Sequence, residues 1–348
     1  MTQRVAIALS GGADSAVTAL LLQEQDYDVF ALHLLLINTP ASLLQHDRAR
    51  DISHRLGIDF QVVDLTRQFA ERIVTPFCSE YAKGRTPNPC VVCNRDIKFG
   101  FMLQQARERG ADYLATGHYA RVERTSGRTS LLRAVDRQAD QSYFLYAIDD
   151  DSLNHILFPL GTIPRKKVRA TAQTEGFQTG QPSQDICFVS ERSYHHFLAP
   201  KVAFTQGDIT DTSGKILGQH RGLPFYTIGQ RRGLRLSLEE PRYVLELDTE
   251  NNRVVVGKED ELYSSEAMLS NITWHGNPPA TNELTVHAKT RFRSRETPAQ
   301  VTMVGEGACI AFSEPQRAIA PGQSTVFYDG DVVRGGGIIQ KSSCGGTG

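Results

Sequence analysis

The stretch Val5-Ala6-Ile7-Ala8-Leu9-Ser10-Gly11-Gly12-Ala13-Asp14-Ser15 sets the reading of the whole chain. Its opening residues are apolar without alternation, the pattern of a strand buried on both faces. Gly11 and Gly12 end that run, and Ala16, Val17, Leu20 and Leu21 then recur at helical spacing. A strand, a glycine turn and a helix N-terminus together make an anion site. Glycine lets the backbone come close to a ligand, and the first N–H groups of the helix point at it unpaired. Ser10 and Ser15 add hydroxyl donors, and Asp14 suits a Mg²⁺ that accompanies a pyrophosphate.

The loop has neither the Lys of a Walker A sequence nor the glycine spacing of a dinucleotide fingerprint. Ser-Gly-Gly-x-Asp-Ser resembles instead the loop of the ATP pyrophosphatases, which cleave ATP between the α- and β-phosphates and adenylate a substrate. The plainer reading is a Gly-Gly turn that only ends a buried strand. The number of specified positions in a strand–turn–helix context weighs against it.

A chain of 348 residues accommodates two or three domains and a sizeable core. With 40% hydrophobic and 22% charged residues it reads as an ordinary soluble globular protein. No apolar run is long enough to span a membrane and the first residues carry no signal-peptide pattern, so a cytoplasmic location is expected. A net charge of −1 gives no overall bias toward nucleic acid, so an RNA partner requires local basic patches. Six cysteines are too few for a secreted disulfide framework.

Strands and helices alternate up to about residue 115. A second buried strand is expected over 29–35. A helix over 43–56 is marked by Leu44, Ala49, Ile52 and Leu56 and capped by Gly57, and a third strand follows over 60–65. A helix over 97–109 capped by Gly110 and a fourth strand over 113–116 complete the pattern of a parallel sheet. Ligands of such sheets sit beyond the carboxyl ends of the strands, where the 10–15 loop, Leu34 and Thr116-Gly117-His118 fall. Residues 140–200 read as helical and connecting, and include the basic run Arg165-Lys166-Lys167-Val168-Arg169. After about 205, turn signals such as Asp211-Thr212-Ser213-Gly214 and Tyr328-Asp329-Gly330 punctuate strand-like runs, so this portion is expected to be all-β. The boundaries expected are a catalytic domain over 1–200, a small β-rich domain over 201–268 and a closed β-barrel over 269–348. The Gly-rich end, 342–348, reads as a loose tail.

Thr86-Pro87-Asn88-Pro89-Cys90-Val91-Val92-Cys93-Asn94 places two stiffening prolines before a helix. Cys93 is expected near that helix's N-terminus, where the dipole favours thiolate. Cys187 lies in another polar loop, within Ser183-Gln184-Asp185-Ile186-Cys187-Phe188, and a reactive pair suggests sulfur chemistry. Cys309, in an apolar run, reads as a buried filler, Cys78 similarly, and Cys344 as an incidental tail residue. A zinc site is a further alternative, but it usually needs a second paired motif and a fourth ligand.

The chain as a whole resembles the bacterial tRNA-specific 2-thiouridylases. The likeness runs through the 10–15 loop, Thr-Pro-Asn-Pro at 86–89 with Cys93-Asn94, and Ile97-Lys98-Phe99. It continues through Gly117-His118-Tyr119-Ala120-Arg121, Asp140-Gln141-Ser142-Tyr143-Phe144-Leu145, and Gln184-Asp185-Ile186-Cys187-Phe188. Tyr226-Thr227-Ile228-Gly229-Gln230-Arg231-Arg232-Gly233-Leu234, Pro321-Gly322-Gln323 and Gly335-Gly336-Gly337-Ile338-Ile339 complete it. The resemblance implies an α/β N-terminal domain similar to the adenine nucleotide alpha hydrolases, then a small β-rich module and a C-terminal β-barrel. It implies a tRNA-uridine 2-sulfurtransferase that uses ATP and Mg²⁺ to adenylate C2 of the wobble uridine in the anticodon. A persulfide on Cys187, loaded by a sulfur-carrier protein or cysteine desulfurase, then gives 2-thiouridine, AMP and pyrophosphate. Cys93 is the implied nucleophile, able to form a transient disulfide with Cys187. ATP contacts are implied at Ala8, Leu9, Ser10, Gly11, Gly12, Ala13, Asp14, Ser15, Leu34 and Gly117. tRNA contacts are implied at His118, Asp140, Gln141, Arg291, Phe292 and Gln323.

The sequence departs from that pattern twice. Cys90 stands where the family commonly has Asp, which opens a second mechanism: Cys90, Cys93 and Cys187 as ligands of a [4Fe–4S] cluster whose open iron carries sulfide. Ala139 replaces a usual Lys before Asp140. Three basic sets are candidates for RNA phosphates: Arg165 to Arg169; Arg231, Arg232 and Arg235; and Lys289, Arg291, Arg293 and Arg295, whose alternation suits one face of a strand. The alternatives carried are an amide-forming synthetase with the same ATP loop, and a non-catalytic tRNA- or cluster-binding protein.

Overall fold

The computed structural model describes residues 2–125, 127–178, 186–189, 194–276 and 281–344. Ser183-Gln184-Asp185 and the last residues of the Gly-rich tail, 345–348, lie outside the described residues. The chain divides into two units. One comprises Met1–Ile73, Cys90–Phe188 and Gly330–Arg334; the other comprises Val74–Pro89, Val189–Asp329 and Gly335–Gly348.

In the first unit β1 (Arg4–Ala8) leads through the glycine turn into α1 (Ala13–Glu24), and β2 (Asp28–Leu35) into α2 (Pro40–Leu56), followed by β3 (Phe60–Asp64). After β4 (Tyr113–Ala115) come a hairpin, β5 (Ala120–Thr125) and β6 (Arg128–Arg133), and a short β7 (Ile156–Leu157). Five strands form one sheet in the order β3-β2-β1-β4-β7, every pair parallel. Val5, Ala6 and Ile7 are fully buried, as a central strand covered on both faces requires. The first two connections move the chain to one side of β1, and β4 then joins its other side. The strand order therefore reverses at β1/β4, and the crevice where such folds bind ligands opens beyond those two carboxyl ends.

Local chemistry accounts for the helix ends. Thr39 caps α2 by accepting from the Ser42 N–H while Ser42 returns the bond, Pro40 opens the helix, and Gly57 closes it at φ 65°. No side chain caps α1, whose N-cap is Gly12. The expected helix over 97–109 is different in kind. A helical rod begins at Pro89–Val92, continues as a π-helix over Cys93–Met102, and returns to α form over Leu103–Glu108. The 140–200 block is less helical than expected: besides short helical turns it contributes β7, and Arg165–Thr174 is its one sustained helix among the described residues. The hairpin β5–β6 lacks a hydrophobic alternation and went unread in the sequence. Its Leu132 pairs with Val332, at the start of the last strand.

The second unit begins with a four-stranded sheet in the order Tyr243–Asp248, Arg253–Gly257, Gly207–Thr210, Ile216–His220. A closed barrel of six strands follows. Tyr263–Trp274 pairs both with Gly307–Arg317 and with Val332–Lys341, which closes the ring. Its interior is lined by Leu269, Val286, Val301, Ile310, Phe327 and Ile339. Two expectations are corrected here. Cys309 and Cys344 are joined by a disulfide, so Cys309 is not a mere filler and the chain end is tied to the barrel up to Cys344. The strand expected to carry alternating basic residues ends at Lys289, and residues 291–294 form a turn in which the Ser294 N–H donates to Arg291 O.

Candidate active site

The 10–15 loop is held open by its own hydroxyls. Ser15 Oγ donates to Gly12 O at 2.9 Å, accepts from the Ser10 N–H at 3.2 Å, and lies 3.2 Å from Ser10 Oγ. Gly11 has φ +80°, and a Cβ there would fall 2.5 Å from Gln45 O, so no other residue fits. Gly117, at the end of β4, packs against this loop so closely that a Cβ would lie 3.1 Å from Ser15 N and from the Asp14 carbonyl carbon. Two residues on, Tyr119 donates its hydroxyl to Asp14 Oδ1 at 3.0 Å. Burial and the Asp14 carboxylate hold that phenol protonated far above the usual range, against the pull of Arg165 and Arg169. Arg165 lies over the Tyr119 ring, 5.9 Å from its centroid, and its Nε is buried without a hydrogen-bond partner. These two cations of the basic run thus both act on Tyr119, the partner of Asp14. They share one helix face because they are four residues apart. Leu34, at the end of β2, is half-buried, while Leu9 is buried and Ala8 less so.

Cys90 and Cys187 lie within electrostatic reach of Cys93. Cys93 is buried and Cys187 reaches solvent, and none of Cys78, Cys90, Cys93 and Cys187 is in a disulfide. Cys93 does not have the lowered pKa expected of a helix N-terminus. Burial pushes its thiol up to about 12, Cys187, Cys90 and Asp96 add to the rise, and Lys98 pulls against it. Burial outweighs the dipole because Cys93 begins the π-helix, a full turn inside the rod that starts at Pro89. Although Cys187 has an exposed surface, enough protein surrounds its sulfur to raise its pKa too, and Lys98 again opposes the shift. Cys90 and Cys187 thus both act on the Cys93 sulfur, and one ammonium acts on Cys93 and Cys187 together.

Lys98 also links the sulfurs to the end of β4, which packs on the 10–15 loop. Its Nζ lies 3.3 Å from His118 Nε2, while His118 Nδ1 lies 2.7 Å from Thr116 Oγ1. An ammonium only donates, so Nε2 accepts and Nδ1 carries the ring proton, donated to Thr116. Burial and the charge of Lys98 hold His118 neutral, its pKa well below the ordinary value. Sequence reasoning quoted both Lys98 and Tyr119 within motifs but gave neither a role. The aromatic at the end of β4, one residue past His118, was the only signal for the latter.

The expected tRNA residues are engaged within their own units. Asp140 is buried and organises its turn, accepting from the Ala134 and Ser142 N–H groups and from Ser142 Oγ. Gln141 Oε1 accepts from the Tyr119 N–H at 3.0 Å. Arg291 donates to Ala318 O at 2.6 Å, and Lys289 Nζ lies 6.0 Å from the centroid of the Phe292 ring. Gln323 donates to Thr86 O at 2.8 Å, and the Thr86 N–H donates to Pro321 O, so the Pro321-Gly322-Gln323 segment anchors the stem of the proline loop that leads to Cys90.

Three family models match the chain in succession: tRNA methyl transferase HUP domain over residues 3–191, tRNA methyl transferase PRC-barrel domain over 195–258, and Aminomethyltransferase beta-barrel domain over 264–339. The chain is 44% identical over 341 residues to the tRNA-specific 2-thiouridylase MnmA of Desulforudis audaxviator, covering 96% of this chain and 98% of that protein. It is 42% identical over 355 residues to the tRNA-specific 2-thiouridylase MnmA of Halothermothrix orenii, covering 97% and 99%. Among solved structures, the U34-tRNA thiolase NcsA of Methanococcus maripaludis with its [4Fe–4S] cluster aligns over 56% of this chain and 63% of that one. That alignment has 20% identity and a TM-score of 0.38, a likeness too slight to carry chemistry. On its sequence over nearly its whole length, the chain belongs to the family of the tRNA-specific 2-thiouridylases.

Proposed function

We propose that this chain is a tRNA-uridine 2-sulfurtransferase that converts the wobble uridine to 2-thiouridine at the expense of ATP. One observation supports the reading: Cys93 in the helical rod and Cys187, far from it in sequence, share Lys98, which is bonded to His118, next to the glycine packed on the 10–15 loop. The loop, with Ala8, Leu9, Leu34 and Gly117, holds ATP; Arg165 and Arg169 answer the charge of the phosphates; Asp14 suits the accompanying Mg²⁺, since only its Oδ1 is taken by Tyr119 among the described residues. The uridine C2 oxygen attacks the α-phosphate, pyrophosphate leaves, and C2 becomes bonded to a good leaving group. A persulfide on Cys187 attacks C2 and expels AMP. Cys93 thiolate then bonds to the Cys187 sulfur, the bond to the transferred sulfur breaks, and its electron pair stays on 2-thiouridine. The resulting Cys93–Cys187 disulfide is reset by a thiol reductant. A sulfur-carrier protein or desulfurase loads Cys187, with His118, Asp140, Gln141, Arg291, Phe292 and Gln323 toward the tRNA. The domains are 1–200, 201–268 and 269–348. A cytoplasmic location fits a chain in which, among the described residues, no helix is long and apolar enough to cross a membrane.

The test is the purified full chain with ATP, tRNA and a persulfide donor, assayed for 2-thiouridine by nucleoside mass spectrometry. Product that requires both Cys93 and Cys187 supports the reading. No product from the unaltered chain, or full product from Cys187→Ala, overturns it and leaves the amide-forming or non-catalytic alternatives.

The action of Cys90 on Cys93 favours one second reading, with Cys90, Cys93 and Cys187 as cluster ligands. The donor set fits an iron–sulfur group better than zinc. Among the described residues the only trio of ligand atoms within 4.8 Å of one another is Glu266, Cys309 and Cys344, so the three active-site sulfurs stand wider than a single tetrahedral ion allows. Such a cluster supplies an open iron for sulfide. Anaerobic purification decides it: about four iron atoms and matching acid-labile sulfide per chain favour the cluster, and active iron-free protein excludes it.

A further inference from the structure

The π-helix changes which residues face the sulfur site. In an α-helix five residues turn about 500°, leaving positions 93 and 98 about 140° apart and on different faces. With i→i+5 hydrogen bonding the turn widens, and the same five residues come round to within roughly 50° of one another. The segment is π-helical over Cys93–Met102, and at its end the Leu103 N–H is shared between Gly100 O and Lys98 O, five residues back. The π segment runs over Cys93–Met102, so it spans the interval that separates Cys93 from Lys98. A long π segment inside an α-helical rod is uncommon and needs a reason. Bringing an ammonium beside a buried thiol provides one.

We propose that Lys98 is the shared positioning cation of the sulfur site, fixed by His118 and set by the π register to balance the negative charge that develops on the sulfurs of Cys93 and Cys187. The proposal rests on the sulfur-transfer reading above. Every ionisable neighbour is consistent with it. His118 is neutral and takes the Lys98 hydrogen bond as an acceptor, so it steadies the ammonium without competing as a second cation. Asp96, the nearest carboxylate on the same helix, is bridged by Arg95 at 2.6 Å, and no carboxylate bridges to Lys98 among the described residues. The other ionisable groups acting on these sulfurs are the thiols of Cys90, Cys93 and Cys187 themselves. In the first step the charge of the Cys187 persulfide leaves with AMP; in the second the Cys93 thiolate brings a new negative charge, which passes to the departing thiouridine sulfur. One fixed cation beside both cysteines serves both steps. Lys98 exchanges no proton in this scheme; it holds geometry and potential.

The experiment reads local charge without tRNA or ATP. In the full reduced chain, Cys187 and Cys93 are alkylated with iodoacetate, an anion, and with iodoacetamide, its neutral counterpart, and each peptide is followed by mass spectrometry. Lys98→Met is expected to lower the iodoacetate-to-iodoacetamide rate ratio at Cys187 roughly tenfold, and Lys98→Arg to restore most of it. In the thiolation assay Lys98→Met is expected to lower kcat with little change in KM for tRNA, again with partial rescue by Arg. Lys98→Gln repeats the measurement should the Met variant fail to fold. An unchanged reagent ratio in the folded Lys98→Met or Lys98→Gln variant overturns the proposal, whatever the thiolation assay shows. Absence of thiolation by the unaltered chain bears on the function and leaves the reagent ratio to be read independently.

Discussion

Cys309 and Cys344 are bonded, joining a barrel strand to the end of the chain, whereas Cys93 and Cys187 stand unbonded in the first unit with an ammonium beside them. At the barrel pair the neighbouring charge is Glu266, whose Oε1 accepts from the Cys344 N–H at 2.7 Å. A carboxylate discourages thiolate, and the pair serves as a clasp. At the other pair Lys98 opposes the effect of burial on both thiols, and His118 orients that cation. The bonded pair thus has an anion beside it, and the pair proposed to carry sulfur has a cation.

The largest effect expected from this contrast is on activity. Cys187→Ala and Cys93→Ala should each lower 2-thiouridine formation by about a thousandfold or more, while Cys344→Ser should leave it within about twofold. Stability should reverse the ranking. The disulfide closes a loop with a sequence separation of 35, so in oxidised protein Cys344→Ser should lower the unfolding free energy by about 3–4 kcal/mol in denaturant titrations. Cys187→Ser, at a solvent-reaching position, should change it by about 0.5 kcal/mol or less. Equal losses of stability from the two variants would erase the distinction.

The pH dependence should separate the pairs as well. The folded pKa of Cys93, about 12, lies above the ordinary thiol value of 9.0, so folding favours its neutral form. That contribution to stability is complete below pH 9 and is lost as pH rises from there toward 12. Cys93→Ala should flatten the alkaline fall of stability in that window, followed by thermal melts at stepped pH. The disulfide-bonded pair does not titrate, so removing both of its thiols together, Cys309→Ser with Cys344→Ser, should leave the shape of the profile as it is. The smallest effect expected is on the nucleotide side: Tyr119→Phe removes the hydrogen bond to Asp14 and should raise KM for ATP by about fivefold, with little change in alkylation of Cys187.

The parallel sheet and the strand–glycine turn–helix at its centre were legible because their signals are local. An unbroken apolar run, Gly11-Gly12, and Thr39 with Gly57 at the ends of a helix each state their conformation within a few residues. The β-barrel was legible from turn residues and its change of character after residue 205. The π-helix was not, because its apolar positions resemble those of an α-helix and the distinction lies in a hydrogen-bond register that side-chain pattern does not encode. Lys98 went unassigned for that reason. The Cys309–Cys344 bond was hidden because Cys344 sits among glycines that read as a tail, and only the strand pairing carries it to Cys309. Arg165 and Arg169 were legible as cations but not as partners of Tyr119, which the chain brings to them from another strand end.

The proposed sulfur transfer requires the Cys93 and Cys187 sulfurs to share one neighbourhood beside Lys98, and bridging them chemically is the most direct test. Reduced full-length protein treated with dibromobimane, a short thiol-to-thiol linker, should give a linked Cys93–Cys187 peptide pair on mass mapping, and bound ATP should change its rate of formation. Single alkylation of each cysteine with no linked pair, in the presence or absence of ATP, would contradict it.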